Sequence, residues 1–430
     1  MTEPVPPLGA HTLLVFLLQV GVLLLAAVVL GRLAVRMRMP AVVGELCAGI
    51  LLGPSLLAHL APGAAGWLLP QQTEQFHLLD AAGQLGVLLL VGLTGSHLDF
   101  GLARRRGATA AKVSLFGLAV PLALGIGTGL LLAPVGDAGS DPTVFALFLG
   151  VAMCVSAIPV IAKTLFDMNL LHRDIGQLTL VAATVDDIFG WVMLSIVSVM
   201  ATIGLQAQNV AQSLGSLLVV VVFAVVVARP LIREIFRRVR GSASVIGATV
   251  IIIVLSAAGT HALKLEAVFG AFVAGILIGE WGRPDPALVA PLRTVVLTVL
   301  APLFFATAGL RMDLTLLARI EVLGAALLVV GVAVAGKFAG AYLGARTSGL
   351  SSWEGVALGA CLNARGVIEV VIAMVGLRLG VLNAEMYTIL ILMAVLTSLM
   401  APPILRLAMA RLTPTEEELD RRARMPAVGG

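Results

Sequence analysis

Cys361-Leu-Asn-Ala-Arg-Gly-Val-Ile368 places an asparagine, an arginine and a glycine in the middle of an apolar run that extends from 352 to 377. A second stretch, Cys154-Val-Ser-Ala-Ile-Pro-Val-Ile161, lies in another apolar run and carries Ser156 and Pro159. Proline removes a backbone N–H, and unwound backbone at membrane depth is tolerated only where it is buried in protein or lines a cavity. The two stretches therefore predict two broken helices, whose free carbonyls could coordinate a cation. The plainer alternative is a simple kink at Pro159 in the stretch 154–161 and a paired Arg365 in the stretch 361–368.

The composition around these stretches is that of a membrane protein. Of 430 residues, 59% are hydrophobic and only 12% are charged, and the mean hydropathy is +1.06. Soluble domains carry about 25% charged residues, so an ordinary globular protein is excluded. We expect an all-α polytopic membrane protein, because about thirteen apolar runs approach the roughly 17–25 residues that cross a bilayer. These spans are 12–31, 40–59, 79–97, 109–133, 144–162, 175–203, 212–228, 244–261, 265–281, 291–310, 321–344, 352–377 and 386–409.

The 28 basic residues are distributed asymmetrically between these spans. Most follow odd-numbered spans, whereas the loops after even-numbered spans hold only Lys264, Arg311, Arg319 and Arg378. By the positive-inside rule, the N-terminus is outside and the C-terminus is cytoplasmic, in a multi-pass protein of a cell (inner) membrane. The basic loops are thus topology signals, and the net charge of +4 does not indicate a nucleic-acid partner.

The remaining sequence offers little enzymatic chemistry. The three cysteines lack metal-ligand spacing, and no nucleophile elbow or phosphate-binding loop is present. We therefore expect neither an enzyme nor a resident cofactor. The first span lacks the features of a cleaved signal peptide, and residues 411–430 are expected to form a short, solvated cytoplasmic tail. The whole chain, 1–430, is interpreted as one transmembrane transporter domain.

Three pairs of motifs reveal an internal repeat. Gly44–Gly53 resembles Gly270–Gly279, and Gly95–Asp99 resembles Gly309–Asp313. The two broken stretches form the third pair, and the offsets of the three pairs are 226, 214 and 207. Five spans, from about 40 to 203, would thus repeat from about 265 to 409 with opposite orientation. Inverted repeats with a site at their interface are typical of secondary transporters.

Charged side chains within the spans are the strongest functional candidates, because an isolated charge at mid-bilayer is costly. Asp186 and Asp187 are adjacent near the centre of 175–203, and Lys337 is near the middle of 321–344. Successive helical residues point about 100° apart, so one carboxylate can face a neighbouring helix and the other a cavity. Lys337 can pair with one of them, and a purely structural pair is an open alternative. The uncompensated carboxylate could bind a proton and a small cation in turn.

Several other polar groups within or beside the spans are weaker candidates. Arg365 could neutralise the carbonyl end of a half-helix or pair with Glu369. Four further residues could be gate or vestibule groups, or equally interfacial side chains that reach water: Glu45, Gln84, His261 and Glu266.

Together these motifs resemble the monovalent cation:proton antiporter-2 family over nearly the whole chain. The resemblance is carried by Pro40-Ala-Val-Val-Gly-Glu-Leu-Cys-Ala-Gly-Ile-Leu-Leu-Gly-Pro-Ser55, Thr184-Val-Asp-Asp-Ile-Phe-Gly-Trp191, Pro302-Leu-Phe-Phe-Ala-Thr-Ala-Gly-Leu310, Gly336-Lys337 and Leu362-Asn-Ala-Arg-Gly-Val-Ile-Glu369.

The resemblance implies a sodium/proton antiporter-like fold in a homodimer. It implies a mobile core (109–203 and 321–409), a dimerisation side (12–97 and 244–310) and a linking seventh span. Asp187 resembles the carboxylate that binds cation and proton, with Asp186 beside it and paired with Lys337. The crossover that frames the site would be formed by Ser156, Pro159, Asn363, Arg365 and Glu369.

The expected function is Na⁺/H⁺ or K⁺/H⁺ exchange by an elevator-like movement. Family members with two aspartates are commonly electrogenic, so Asp186 favours an electrogenic cycle. Gating by the nucleotide-binding domain of glutathione-gated relatives is not expected unless a separate subunit supplies it, because the chain leaves no room for such a domain. A channel-like potassium efflux protein and a non-transporting sensor are the alternatives; the sensor would call for a sizeable soluble output domain. Carboxylates and carbonyls suit Na⁺ and K⁺ alike, so both cations remain open.

Overall fold

The computed structural model describes residues 9–37, 39–69, 73–96, 107–136, 139–203 and 207–419. Within these ranges the chain is helical and contains no β-strand. His97–Asp99 of one repeat motif, Arg38, Arg104–Arg106 and residues 420–430 of the predicted tail lie outside the described residues.

The helices follow the order of the predicted spans and are numbered here accordingly. Two spans consist of half-helices, labelled a and b. Their bounds are α1 Ala10–Arg36, α2 Ala41–Leu52, α3 Thr73–Ser96, α4 Gly107–Gly136, α5a Pro142–Cys154, α5b Ile158–Asp167, α6 Asp174–Ile203, α7 Ala207–Phe223 with Arg229–Arg238, α8 Ser242–Ala262, α9 Ala267–Leu277, α10 Pro286–Val295 with Ala301–Gly309, α11 Ile320–Thr347, α12a Ser352–Leu362, α12b Val367–Arg378 and α13 Ala384–Met409.

The polytopic all-α class is confirmed. Among the described residues, 11 helices are long and apolar enough to cross a membrane, and the pair α12a–α12b, bent by 48°, makes up to 12. The predicted ninth span forms a shorter apolar helix, Ala267–Gly282. The exact count of thirteen therefore stays a prediction.

The chain divides into two compact units, and the first comprises residues 1–90 and 290–315. Its helices α1 and α2 pack on the second half of α10. Their apolar side chains form one buried cluster that includes Leu23, Ala27, Ala48, Leu303 and Ala306. The alanines in this cluster let the helix backbones approach closely. Close van der Waals packing of this kind stabilises helix contacts in lipid, where the hydrophobic effect between helices is absent.

The second unit comprises residues 91–289 and 316–430 and contains the predicted cation-binding, ion-pair and crossover residues. Its most extensive helix pairs are α4 with α11 and α4 with α5a. Gly340 of α11 faces the backbone of Phe116 and Gly117 on α4, and Gly129 of α4 faces Ala146 on α5a. A methyl group at either glycine would overlap the opposing backbone. The predicted mobile core and dimerisation side are a functional division, which these packing units do not test.

The repeat is visible in equivalent close contacts. A Cβ atom on Gly44 would overlap the carbonyl oxygen of Leu30, and one on Gly270 would overlap that of Ser256. Both residues of the first contact lie 226 positions before those of the second, which is the predicted offset. The contact of α1 with α2 therefore corresponds to that of α8 with α9, so the similarity includes one helix more than the five predicted.

A second set of contacts relates the two halves by the predicted offsets of 226 and 214 residues. A Cβ atom on Gly49 would overlap the carbonyl oxygen of Ala306, and one on Gly275 would overlap that of Gly92. The first pair lies within the first unit and the second pair within the second unit. The glycines are 226 residues apart, and their partners are 214 residues apart. The opposite orientation of the halves stays a prediction.

One residue of the C-terminal segment differs from the solvated tail that was predicted. Glu418 is only 3% exposed. Its carboxylate accepts hydrogen bonds from Arg173 Nε at 2.9 Å and from the backbone N–H of Asp174 at 2.6 Å. A carboxylate is stabilised at the first turn of a helix, where N–H groups lack intrahelical partners. Glu418 therefore departs from the predicted solvated end, because the start of α6 supplies both a cation and a free N–H, whereas the other described residues of 411–419 are exposed or partly buried.

Candidate functional site

Two interrupted helices meet at the centre of the candidate site. Between α5a and α5b the backbone is extended, and the backbone N–H of Ala157 donates to the carbonyl of Ala364, in the break of α12, at 3.2 Å. The Ser156 hydroxyl donates to the carbonyl oxygen of Leu362 at 2.7 Å. Pro159 lies in the first turn of α5b, where its missing N–H has no intrahelical partner to lose. The predicted breaks are thus present, and they bond to each other.

The carbonyl end of α5a is capped by two buried cations. Arg365 donates to the carbonyl oxygens of Ala152 and Met153 at 2.6 and 2.5 Å. Lys337 donates to that of Cys154 at 2.5 Å. Cations are stabilised at this end because the free carbonyls carry partial negative charge. Arg365 therefore lies at the carbonyl end of a half-helix, the position in which the sequence predicts it to act.

The plainer interpretation of Arg365 also holds, because it forms a second contact with Glu369. Arg365 Nη1 lies 3.2 Å from Glu369 Oε2, and both side chains are fully buried. Glu369 Oε1 and Arg365 Nε have no hydrogen-bond partner among the described residues. The same holds for the side-chain oxygen and nitrogen of Asn363, which is also fully buried. Buried polar groups of this kind ordinarily bind water or an ion.

Asp186 points from α6 towards α11 and the first break. Its Oδ2 atom lies 2.8 Å from Lys337 Nζ and accepts a hydrogen bond from Ser156 at 2.7 Å. Lys337 and Asp186 are both 0% exposed. Lys337 also donates to the carbonyl oxygen of Gly117 on α4 at 3.0 Å. The predicted pairing of Lys337 with one aspartate is therefore present, and Asp186 is the partner.

Asp187 points in another direction, as the 100° rotation between neighbours requires. It is 3% exposed, and its Oδ1 atom has no hydrogen-bond partner within the described residues. It lines a small cavity of about 10 Å³, enough for about one water molecule. Thr94 and Trp191 line the same cavity, together with apolar residues of both broken helices.

The amino end of a half-helix also faces Asp187. The backbone N–H of Ile158, the first residue of α5b, interacts with its carboxylate. Such an end carries partial positive charge and favours an anion. Asp187 therefore has a fixed dipole beside it, whereas Asp186 has the full charge of Lys337. The two adjacent carboxylates differ chemically, and only Asp187 faces space that a small ion or a water molecule could enter.

Sequence reasoning did not single out Thr94 and Trp191. Trp191 is one turn beyond Asp187 on α6, and this spacing alone would have placed it on the same face. Its ring lies 6.1 Å from that of Phe272 on α9. Thr94 carried no such signal, because its position beside the cavity depends on how the end of α3 packs.

The weaker candidates take no part in the contacts described above. Glu45 and Glu266 are buried, at 8% and 5% exposure, and so do not reach water as interfacial residues would. Glu266 pairs instead with Arg378 at 2.6 Å. Gln84 is partly buried and His261 is exposed.

The arrangement resembles known transporters in both sequence and fold. The family model described as "Sodium/hydrogen exchanger, transmembrane" matches residues 22–411. The Na⁺/H⁺ antiporter NhaS4 of Synechocystis is 33% identical over 407 residues, which cover 92% of this chain and 98% of that protein. Cation/H⁺ antiporter 17 of Arabidopsis thaliana is 30% identical over 398 residues; these cover 92% of this chain but 48% of the plant protein, so this chain spans about half its length.

A solved structure shows the same fold. The sodium/proton antiporter MjNhaP1 of Methanocaldococcus jannaschii superposes with a TM-score of 0.63 at 14% identity. The match covers 93% of this chain and 99% of that chain. The sequence matches and this common fold agree on one assignment. The chain belongs to the transmembrane sodium/hydrogen exchanger family.

Proposed function

We propose that this protein is a secondary active antiporter that exchanges Na⁺ or K⁺ for H⁺, with Asp187 binding cation and proton in turn. The observation that carries the proposal is the position of Asp187, which is buried at a cavity between two broken helices and has no cationic partner in the part of the chain that the structure describes. Membership of an exchanger family and the similarity to cation/proton antiporters support the coupling of the two ions.

The chemistry follows from competition at one carboxylate. Burial disfavours a bare negative charge on the carboxylate, and binding a proton removes that charge. A cation that enters the cavity restores the charged form and displaces the proton. Because the neutral and the cation-bound forms both carry no net charge at Asp187, each can move through a low-dielectric region at lower cost than the bare carboxylate. The same group thereby couples the two fluxes in opposite directions.

Asp186 and Ser156 have supporting roles in this proposal. Asp186 is engaged by Lys337 and by the Ser156 hydroxyl, so it fixes α6 against α11 and the first break. Arg365 holds the carbonyl end of α5a. Asn363 and Glu369, with their unpartnered atoms, are further polar groups at the crossover. The two half-helices thus keep the geometry around Asp187 while its ligand changes.

Access to Asp187 from both sides requires movement, because it is 3% exposed in this conformation. We propose that residues 109–203 and 321–409 move as a core against residues 12–97 and 244–310, in a homodimer embedded in the lipid bilayer of a cell (inner) membrane. The N-terminus is placed outside and the C-terminus in the cytoplasm, from the distribution of basic loops.

Reconstitution into proteoliposomes that contain a pH-sensitive dye tests the proposal. The wild-type protein should produce proton flux when a Na⁺ or K⁺ gradient is applied, and Asp187→Asn should abolish it. Asp285→Asn, a change at an exposed loop residue, is the matched control and should retain the flux. Full cation-driven proton flux in Asp187→Asn would contradict the assignment. A channel-like potassium pathway would instead conduct K⁺ without obligatory proton movement.

A further inference from the structure

The ion pairs that join different helices fall into two groups when sorted by the proposed moving parts. Within the described residues, Lys337–Asp186 lies inside the proposed core, and two pairs join the core to residues just outside its bounds: Arg173 with Glu418, after α13, and Glu385 with Arg319, directly before α11. Arg311–Asp80 joins α3 of the proposed dimerisation side to a residue two positions after α10. Among the described residues, one further pair joins the proposed dimerisation side to the proposed core. It consists of Glu266, directly before α9, and Arg378, the last residue of α12b.

The geometry of this pair makes it more than a surface contact. Arg378 Nη2 lies 2.6 Å from Glu266 Oε2. The Glu266 side chain is only 6% exposed, whereas that of Arg378 is 46% exposed. Glu266 is held by its backbone as well, because the Thr260 hydroxyl donates to its carbonyl oxygen at 3.3 Å. A buried carboxylate on a fixed backbone is therefore neutralised by an arginine that also reaches solvent.

The pair lies on the external face in the predicted topology, since Lys264 and Arg378 belong to the sparsely charged side. Any displacement of α12b relative to α9 by several ångströms breaks a contact of this length. Arg378 can then be solvated by water, but Glu266 loses its compensating charge in a buried position. The cost of breaking the pair therefore falls mainly on Glu266.

We propose that Glu266 and Arg378 form an external latch that holds the core against α9 in the conformation seen here and opens once in each exchange cycle. This inference rests on the proposed function, since it assumes that α12b moves relative to α9 during transport. The latch stabilises the state in which the Asp187 cavity is closed to the outside. Transport then requires an open state, and the latch sets how often that state is populated.

Reversible cross-linking tests whether the pair must separate. Glu266→Cys/Arg378→Cys is linked with a bifunctional thiol reagent about as long as the two native side chains, and exchange is measured before and after cleavage of the link. The control is Arg319→Cys/Glu385→Cys, which replaces an ion pair on the same predicted face between α13 and the residue directly before α11, both of them core helices. We expect the first link to stop exchange reversibly and the control link to leave it unchanged.

Removing the charge of Glu266 tests whether the pair controls the equilibrium between the closed and the open state. In a Cys47→Ser background, Thr94→Cys reports access to the cavity from outside by its rate of labelling with an impermeant thiol reagent. Glu266→Gln should raise this rate about fivefold to tenfold, as expected for loss of a coupling of ordinary size. Glu385→Gln should not change it.

Each result decides for or against the latch. Complete linkage of the two thiols in Glu266→Cys/Arg378→Cys with undiminished exchange would overturn it, as would equal inhibition by the control link. Failure of the first pair to link in the membrane would also count against it, since the residues would not be neighbours there. The proposed function fails by a different result: absence of cation-driven proton flux in the unlinked wild-type protein, or its persistence in Asp187→Asn.

Discussion

Substituting methionine for Lys337 tests how the buried lysine stabilises the crossover. Methionine keeps the unbranched side chain and most of its volume, so the change removes charge without opening a large cavity. The ammonium group is lost from Asp186, from the carbonyl oxygen of Gly117 and from that of Cys154. Asp186 keeps only the Ser156 hydroxyl as a hydrogen-bond partner among the described residues.

The size of the stability loss in Lys337→Met follows from the burial of the ion pair. Both members of the pair are 0% exposed, so Asp186 cannot be solvated when Lys337 is removed. Breaking a buried ion pair on one side costs about 3–5 kcal/mol, because the other charge is left uncompensated. Removing both charges, in Lys337→Met/Asp186→Asn, avoids that penalty. We therefore expect the double variant to regain roughly 2 kcal/mol or more of the stability that the single variant loses.

The stabilities of the single and the double variant are compared by their thermal unfolding midpoints in detergent, at one fixed scan rate. Lys112→Met is the matched control, because Lys112 is exposed and makes one hydrogen bond, to the carbonyl of Thr347 at 3.1 Å. The midpoint should fall most for Lys337→Met, less for the double variant and least for the control. The reasoning would be refuted if Lys337→Met were as mild as Lys112→Met, or if the double variant were no more stable than the single one.

Three further changes have defined outcomes. Arg365→Leu should cost about 3 kcal/mol or more in the same thermal assay, because it uncaps α5a and leaves Glu369 uncompensated; adding Glu369→Gln should recover part of the loss. Gly275→Ala should reduce the yield of folded protein, measured by size-exclusion chromatography, because its methyl group would overlap the α3 backbone; Gly331→Ala, with open space around it, should not. Glu418→Gln should lower the unfolding midpoint by an amount that corresponds to about 1–3 kcal/mol, because Arg173 and the first turn of α6 lose their carboxylate; an unchanged midpoint would show that the C-terminal contact contributes nothing.

Much of the candidate site could be predicted because the membrane makes polar residues informative. A charged residue such as Lys337 is costly in an apolar span unless it is paired, so a pair between Lys337 and one of the two aspartates could be anticipated from the sequence. Pro159 and the Asn363–Gly366 stretch marked the breaks for the same kind of reason, since each interrupts a helical hydrogen-bond pattern. Which aspartate takes the lysine could not be deduced from residues alone, because either face of α6 could have been turned towards α11.

Contacts between distant segments were less accessible to sequence reasoning. Glu418 was predicted to be solvated, because nothing near it in the sequence shows that the start of α6 offers Arg173 and a free N–H. Glu266 was one of several interfacial candidates, and its partner Arg378 lies 112 positions further along the chain. Such pairs depend on loop geometry, which hydropathy does not encode.

The order of residues along the chain was enough to predict the membrane environment, the order of the helices and the two breaks, and it indicated the repeat. It could do so because hydropathy, proline and glycine act locally, and because the two halves carry related motifs at fixed offsets. The family resemblance implied that Asp186 pairs with Lys337, but the packed helices were needed to show that Asp187 faces the cavity and which broken helix Arg365 caps. The rotation of α6 and the crossing of the half-helices depend on packing against helices distant in sequence, and the order of residues along one span does not contain that information.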